Sequence, residues 1–212
     1  MALTKAPSAQ RALHAVEPAR PADDAAALPA LLARLHAADA ADRRGAARDL
    51  AGRAEAAPAL GARLSEEADP SVRSVLFTSL ARTGGGAAVA ALLPLLRSEE
   101  AALRNGAIEV LARLPDAVGP HLDALLADAD DDVRIFAVNL LGELPHAGVP
   151  QWLDRVLRDE HAVNVVAAAL EVLAEVGTPA ALGALAAARG RFADDPFIGF
   201  AADLAQARIE AA

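Results

Sequence analysis

Four aspartates crowd one short stretch of the chain, Asp128, Asp130, Asp131 and Asp132, and carboxylates at alternating positions are what a Ca²⁺ loop uses. An EF-hand loop also needs a glycine at its sixth position and a glutamate at its twelfth. Counted from Asp128 those positions hold Val133 and Asn139, so the stretch reads as a solvated helix N-terminus. The histidines, His14, His36, His121, His146 and His161, include no pair four residues apart on one helix, the spacing a zinc protease uses. Cysteine is absent, which removes disulfides, thiolate metal sites and thiol nucleophiles. Gly84-Gly85-Gly86 lacks a following Lys-Ser/Thr and reads as a helix terminator, not a phosphate loop. No catalytic set, metal or cofactor is expected from these residues.

One constellation stands apart from this. Trp152, the only tryptophan, directly precedes Leu153, and His121 directly precedes Leu122. Each of those leucines opens a pair of leucines about one helical turn apart, and the other pairs are preceded by Ala59, Ala91 and Ala181. The two large side chains therefore occupy equivalent positions in successive units, about one helix spacing of 8–10 Å apart. With Asp123, Asp154, Arg155 and Arg158 close by, they have the composition of a binding hot spot. The competing reading packs Trp152 into the seam between helices.

The elements that would position these residues come from a repeating phrase. Its clearest copy is Asp130, Arg134, Ala137 and Leu141: an acid, an Arg one turn on, a small apolar residue, then Leu. The Leu slot recurs as Leu50, Leu80, Leu111, Leu141, Leu173 and Leu204, at intervals of 30, 31, 30, 32 and 31 residues. The slot four residues earlier holds Ala46, Leu76, Ala107, Ala137, Ala169 and Phe200. Between copies lies a second amphipathic segment, with leucine pairs Leu60/Leu64, Leu92/Leu96, Leu122/Leu126, Leu153/Leu157 and Leu182/Leu185; Leu31/Leu35 is the same pair in a leading half-unit. Each unit is thus helix A, a turn, helix B and another turn, with breakers at Gly84–Gly86, Pro115, Pro145 and Gly177, the last placed as a left-handed helix terminator. A two-helix period of about 30 residues predicts an all-α, right-handed solenoid of about six units, whose units bury their apolar faces only against each other.

The acid slot reads Asp39, Asp69, Glu100 and Asp130, and the Arg slot Arg43, Arg73, Arg104 and Arg134. The acids are placed to cap helix A, and each Arg to reach the acid of its own or the adjacent unit. The fifth and sixth copies hold Ala162/Val166 and Ala193/Phe197 instead. There the ladder is expected to end, either in a packed C-terminal cap or in a self-association face made by Phe192, Phe197 and Phe200. Residues 1–23, broken by Pro7, Pro18 and Pro21, read as a flexible tail. Asp24 is placed to cap the first helix, and residues 24–212 form the repeat domain.

The phrase resembles the short HEAT-like repeat of the phycobilisome-lyase type. The residues that carry the resemblance are Asp69 with Val72-Arg73, Glu100 with Leu103-Arg104, and Asp130 with Val133-Arg134 through Leu141-Gly142. The resemblance spans about residues 39–205 and implies that helix B lines the concave face. Related enzymes that hydroxylate a modified lysine hold iron through His-Glu dipeptides; this chain has only Glu160-His161, the reverse order. HEAT-like DNA glycosylases use basic and aromatic groups, whereas this chain carries a net charge of -9, no tyrosine and one tryptophan.

Acidic charge disfavours nucleic acid and anionic membranes as partners, and no apolar run is long enough to span a bilayer. The expected function is therefore a non-enzymatic scaffold or adaptor in a bacterial signalling or assembly system. It would be cytoplasmic and hold a protein or peptide on the concave helix-B face through His121, Trp152, Asp123, Asp154, Arg155 and Arg158. The resemblance implies an alternative, a subunit of a bilin-lyase-like enzyme, with no catalytic residue to transfer.

Overall fold

The computed structural model describes residues 21–211. The described chain is a succession of twelve α-helices: α1 (Pro21–Arg34), α2 (Ala40–Leu50), α3 (Ala57–Glu66), α4 (Pro70–Thr83), α5 (Gly85–Leu92), α6 (Ala101–Ala112), α7 (Pro115–Leu126), α8 (Asp131–Glu143), α9 (Val149–Asp159), α10 (Val163–Val176), α11 (Leu182–Arg191) and α12 (Pro196–Ala211). A 3₁₀ turn, Leu93–Arg97, extends α5. The even-numbered helices are the A helices, and each packs on the next, α2 on α4 through to α10 on α12. The odd-numbered helices form the B layer, with α3 on α5, α5 on α7 and α9 on α11. One apolar cluster runs between the layers from Leu35 to Ile209. This is the α-solenoid that the 30-residue period predicts.

The leucine slots explain why the layers hold. Leu50, Leu80, Leu111, Leu141 and Leu173 are all buried, as are the alanines or leucine four residues before them. Leu141→Ala is expected to cost about 2–5 kcal/mol, because the packed layer cannot collapse onto the missing atoms; a denaturant titration followed by helical circular dichroism checks this.

Two local expectations change. The first helix begins at Pro21, whose missing N–H costs nothing at a helix start, so Asp24 lies inside α1 and not at its cap. The tail expected over residues 1–23 lies, as far as residue 20, outside the described residues. Gly177 ends α10 with extended geometry, φ -67° and ψ 152°, not in the left-handed region. What requires glycine there is space, since a Cβ would stand 2.3 Å from the Leu173 carbonyl and 2.9 Å from Ile209. Left-handed glycines occur instead at Gly84 and Gly85, between α4 and α5.

The sixth copy is out of register. Phe200 and Leu204, expected in the core, are exposed, and α12 instead buries Ile198, Ala201, Ala202, Ala205 and Ile209. Its cap is Asp195, two residues beyond Ala193; the carboxylate accepts from the amides of Phe197 at 2.9 Å and Ile198 at 3.1 Å. The acid slot is thus present in the last repeat, two residues later than the period places it.

Candidate functional site

The charged joints between repeats follow one rule at all four ladder arginines. Each guanidinium donates back to the carbonyl of the residue six positions earlier, where the preceding B element ends. Arg43 reaches Ala37 at 2.9 Å, Arg104 reaches Ser98 at 2.6 Å, Arg134 reaches Asp128 at 2.7 Å, and Arg73 bonds the Glu67 carbonyl. These carbonyls are orphan acceptors at element ends, and a cation there also suits the helix dipole.

Three of the four then reach forward to a carboxylate of the next repeat. Arg43 binds Glu67 at 2.7 and 2.9 Å, Arg73 binds Glu100, and Arg134 binds Glu160 at 2.7 and 3.2 Å. The expected partners are therefore corrected at two rungs. Asp39, Asp69 and Asp130 cap their own helices, while the acids of the first and last rungs sit two residues earlier, at Glu67 and Glu160. The pattern was present in the sequence as an acid two places before the caps Asp69 and Ala162. It also gives Arg134 a partner in the fifth repeat, where the acid slot itself is empty of charge.

Glu67 is the most buried of these carboxylates, 1% exposed. Burial alone would raise its pKa; bonds from Arg43, the Asp69 amide and Arg63 outweigh that and hold it at about 2. Glu160 is lowered in the same way, against its burial, mainly by Arg134.

Arg104 makes the backward bond but no forward pair. It stacks 5.0 Å over the Phe136 ring, and its Nε is buried without a hydrogen-bond partner. The equivalent acid, Asp128, pairs with Arg97, which also lies 3.7 Å from Asp130. The crowded aspartates thus have structural partners: Asp128 and Asp130 each cap the backbone two residues on, and Asp131 pairs with Arg134 at 2.8 Å.

The residues singled out on helix B are only partly brought together. Trp152 is 9% exposed, so it fills a seam and is not a projecting anchor. The ring against it is His146, not His121, with centroids 5.0 Å apart and planes inclined by 34°. His146 comes from the turn before α9; its Nδ1 accepts from the Gly148 amide at 2.9 Å, and Gly119 on α7 leaves its ring room. Sequence reasoning passed over His146 because it lies in a turn, outside the repeating slots. The physical reason for a tryptophan here is spacing: α7 and α9 approach less closely than α3 and α5 or α9 and α11. Where neighbours use Ala59 and Ala91, this seam needs a larger side chain.

Trp152 Nε1 donates to Asp123 Oδ1 at 2.9 Å, and Arg155 donates to the same oxygen at 2.9 Å. These two bonds, the Trp152 one first, lower the Asp123 pKa. Asp154 and Arg158 form a separate pair at 2.9 Å one turn along α9. His121 is half-buried, whereas Asp123, Arg155 and Arg158 are exposed. The arrangement is a charged, prepositioned surface patch over a buried aromatic pair.

Repeated A and B helices, joined by back-and-forward arginine ties, define an α-solenoid repeat protein. The family profile described as HEAT repeats matches residues 28–112, 57–127 and 119–197, so the chain belongs to the HEAT repeat family. Among solved structures, the chain is similar to an engineered protein from the Northeast Structural Genomics Consortium at 23% identity and TM-score 0.39, covering 87% of this chain and 96% of that one. It is also similar to a designed armadillo repeat protein at 18% identity and TM-score 0.37, covering 86% and 99%. A search of the curated proteins finds no significant match. Among the described residues no helix is long and apolar enough to cross a membrane.

Proposed function

We propose that this HEAT-repeat chain is a non-enzymatic scaffold, a cytoplasmic bacterial adaptor, that holds a protein or peptide partner on its helix-B surface at the α7–α9 seam. The observation that carries the reading is Asp123. Its carboxylate is exposed, yet one oxygen is fixed by both Trp152 and Arg155. A group oriented in advance loses little freedom when it binds, and its second oxygen is left to accept from a partner's donor. Arg155 and the Asp154–Arg158 pair extend the patch with charges of both signs along α9. Trp152 and His146 serve it from below as a rigid floor.

The test is a pull-down with the intact chain, identification of the retained protein, and calorimetric titration of that protein. Arg155→Glu is expected to weaken binding at least tenfold, about 1.4 kcal/mol, while Glu143→Lys on the A layer leaves it unchanged. Equal affinity for wild type and Arg155→Glu would remove the seam from the interface.

A further inference from the structure

The large apolar side chains left exposed among the described residues are Val163, Val176, Phe197, Phe200 and Leu204. All lie in the last two repeats, and three of them are on α12. Phe197, Phe200 and Leu204 are spaced i, i+3, i+7, which sets them in one stripe; they are 54%, 67% and 43% exposed. The helix is anchored by a different side, where Ile198, Ala202, Ala205 and Ile209 are buried.

The positions of the stripe have a history in the earlier A helices. Counted from each cap, the second, fifth and ninth residues are Ser71, Ser74 and Thr78 in α4, Ala102, Asn105 and Glu109 in α6, and Asn164, Ala167 and Glu171 in α10. Only α12 fills all three with large apolar groups. The fifth position looks toward the next repeat: Arg44, fifth from Asp39, donates to Ser71, second from Asp69, at 2.8 Å. Phe200 is therefore directed at the place where a further A helix would stack, and no helix among the described residues stacks there.

The charges say what fits there. Asp194, just before α12, and Arg208, in its last turn, are both exposed, and neither forms an ion pair among the described residues. Arg208 follows Leu204 by one turn and so continues the stripe. Acid, apolar stripe and base thus run in order along the helix over about 20 Å. A second α12 laid antiparallel, with the Phe200–Leu204 region at the two-fold axis, sets each Arg208 beside the other copy's Asp194 and opposes the two helix dipoles. A parallel arrangement would oppose like charges. The stripe is self-complementary in the way an isologous contact requires.

We infer that the chain forms a two-fold dimer through α12, with Phe197, Phe200 and Leu204 at its centre and two Asp194–Arg208 pairs at its edges. This surface is separate from the helix-B patch, and the dimer would present two such patches.

Sedimentation of the full chain across a concentration series tests it. The expected result is a mass rising from the 21.6 kDa monomer to twice that value. Phe200→Asp, at an exposed position, is expected to leave the helical signal and unfolding midpoint unchanged and the chain monomeric at every concentration. Arg208→Asp and Asp194→Arg singly should each weaken the dimer, and the double swap should restore it. A wild-type monomer at all concentrations, which would leave the stripe to a different protein or to residues 1–20 of the same chain, overturns the inference. So does a dimer that survives Phe200→Asp, or a double swap that fails to restore what the single changes lose.

Discussion

Trp152→Ala is expected to lower the unfolding free energy by about 3–5 kcal/mol, the range for emptying a buried aromatic site. The side chain is buried, stacked on His146 and bonded across the seam to Asp123. The backbones of α7 and α9 cannot close the gap without breaking their contacts to α8 and α10. Part of the loss is polar and separable. Trp152→Phe keeps most of the ring and loses the N–H donor, so it is expected to cost less, with about 1 kcal/mol assigned to the bond. Denaturant titrations of the three proteins give both numbers. Trp152 is also the only tryptophan, so its native emission should be blue-shifted and move to the red on unfolding. An unchanged unfolding midpoint in Trp152→Ala would refute the packing role.

The second large effect is at Glu67. Its pKa is about 2 in the folded protein against an ordinary 4.5. A depressed carboxylate pKa contributes stability that is complete above the unfolded value and is lost as the pH falls through the folded one. The contribution is therefore full above about pH 4.5 and gone below about pH 2, and a shift of this size corresponds to about 3 kcal/mol. Glu67→Gln is expected to cost about 3–5 kcal/mol at pH 7, because Arg43 then loses its bidentate carboxylate in a shielded site and Arg63 keeps only the exposed Glu66. The gap between wild type and Glu67→Gln should narrow steadily as the pH is lowered from 4.5 toward 2. A gap of the same size at pH 7 and pH 2.5 would mean that the Glu67 charge contributes nothing to the joint.

How much of this was legible before the coordinates depended on the kind of signal. The layers were readable because Leu50, Leu80, Leu111, Leu141 and Leu173 repeat a one-dimensional period that stacking turns directly into burial. The caps Asp39, Asp69 and Asp130 were readable because a cap acts within its own turn. The ladder partners were not, since Glu67 and Glu160 lie outside the phrase and an Arg side chain spans several residues of register. Leu204 misled for a related reason: α12 is capped two residues later than the period places it, which turns its buried face away from the leucine that stands at the expected interval. Trp152 was recognised as unusual, but its burial is set by the separation of α7 and α9, and His146 sits in a turn that obeys no repeat.

The ladder's exception bears on the mechanics of the array. The Arg43–Glu67 and Arg134–Glu160 joints are shielded from solvent, with side-chain exposures of 12% and 1%, and 13% and 12%. The joint between α6 and α8 has no such pair; Arg104 stacks on Phe136 there, and the charged contact is between Arg97, 53% exposed, and Asp128. Exposed charges are screened over about 8–10 Å at ordinary ionic strengths, and buried ones much less. Salt therefore weakens the Arg97–Asp128 pair, and the Arg73–Glu100 pair with its half-exposed carboxylate, more than the Arg43–Glu67 and Arg134–Glu160 pairs. The helix-B patch straddles the joint between α6 and α8, with Asp123 on α7 to one side and Trp152 and Arg155 on α9 to the other, so its geometry follows any change in the angle between these two repeats.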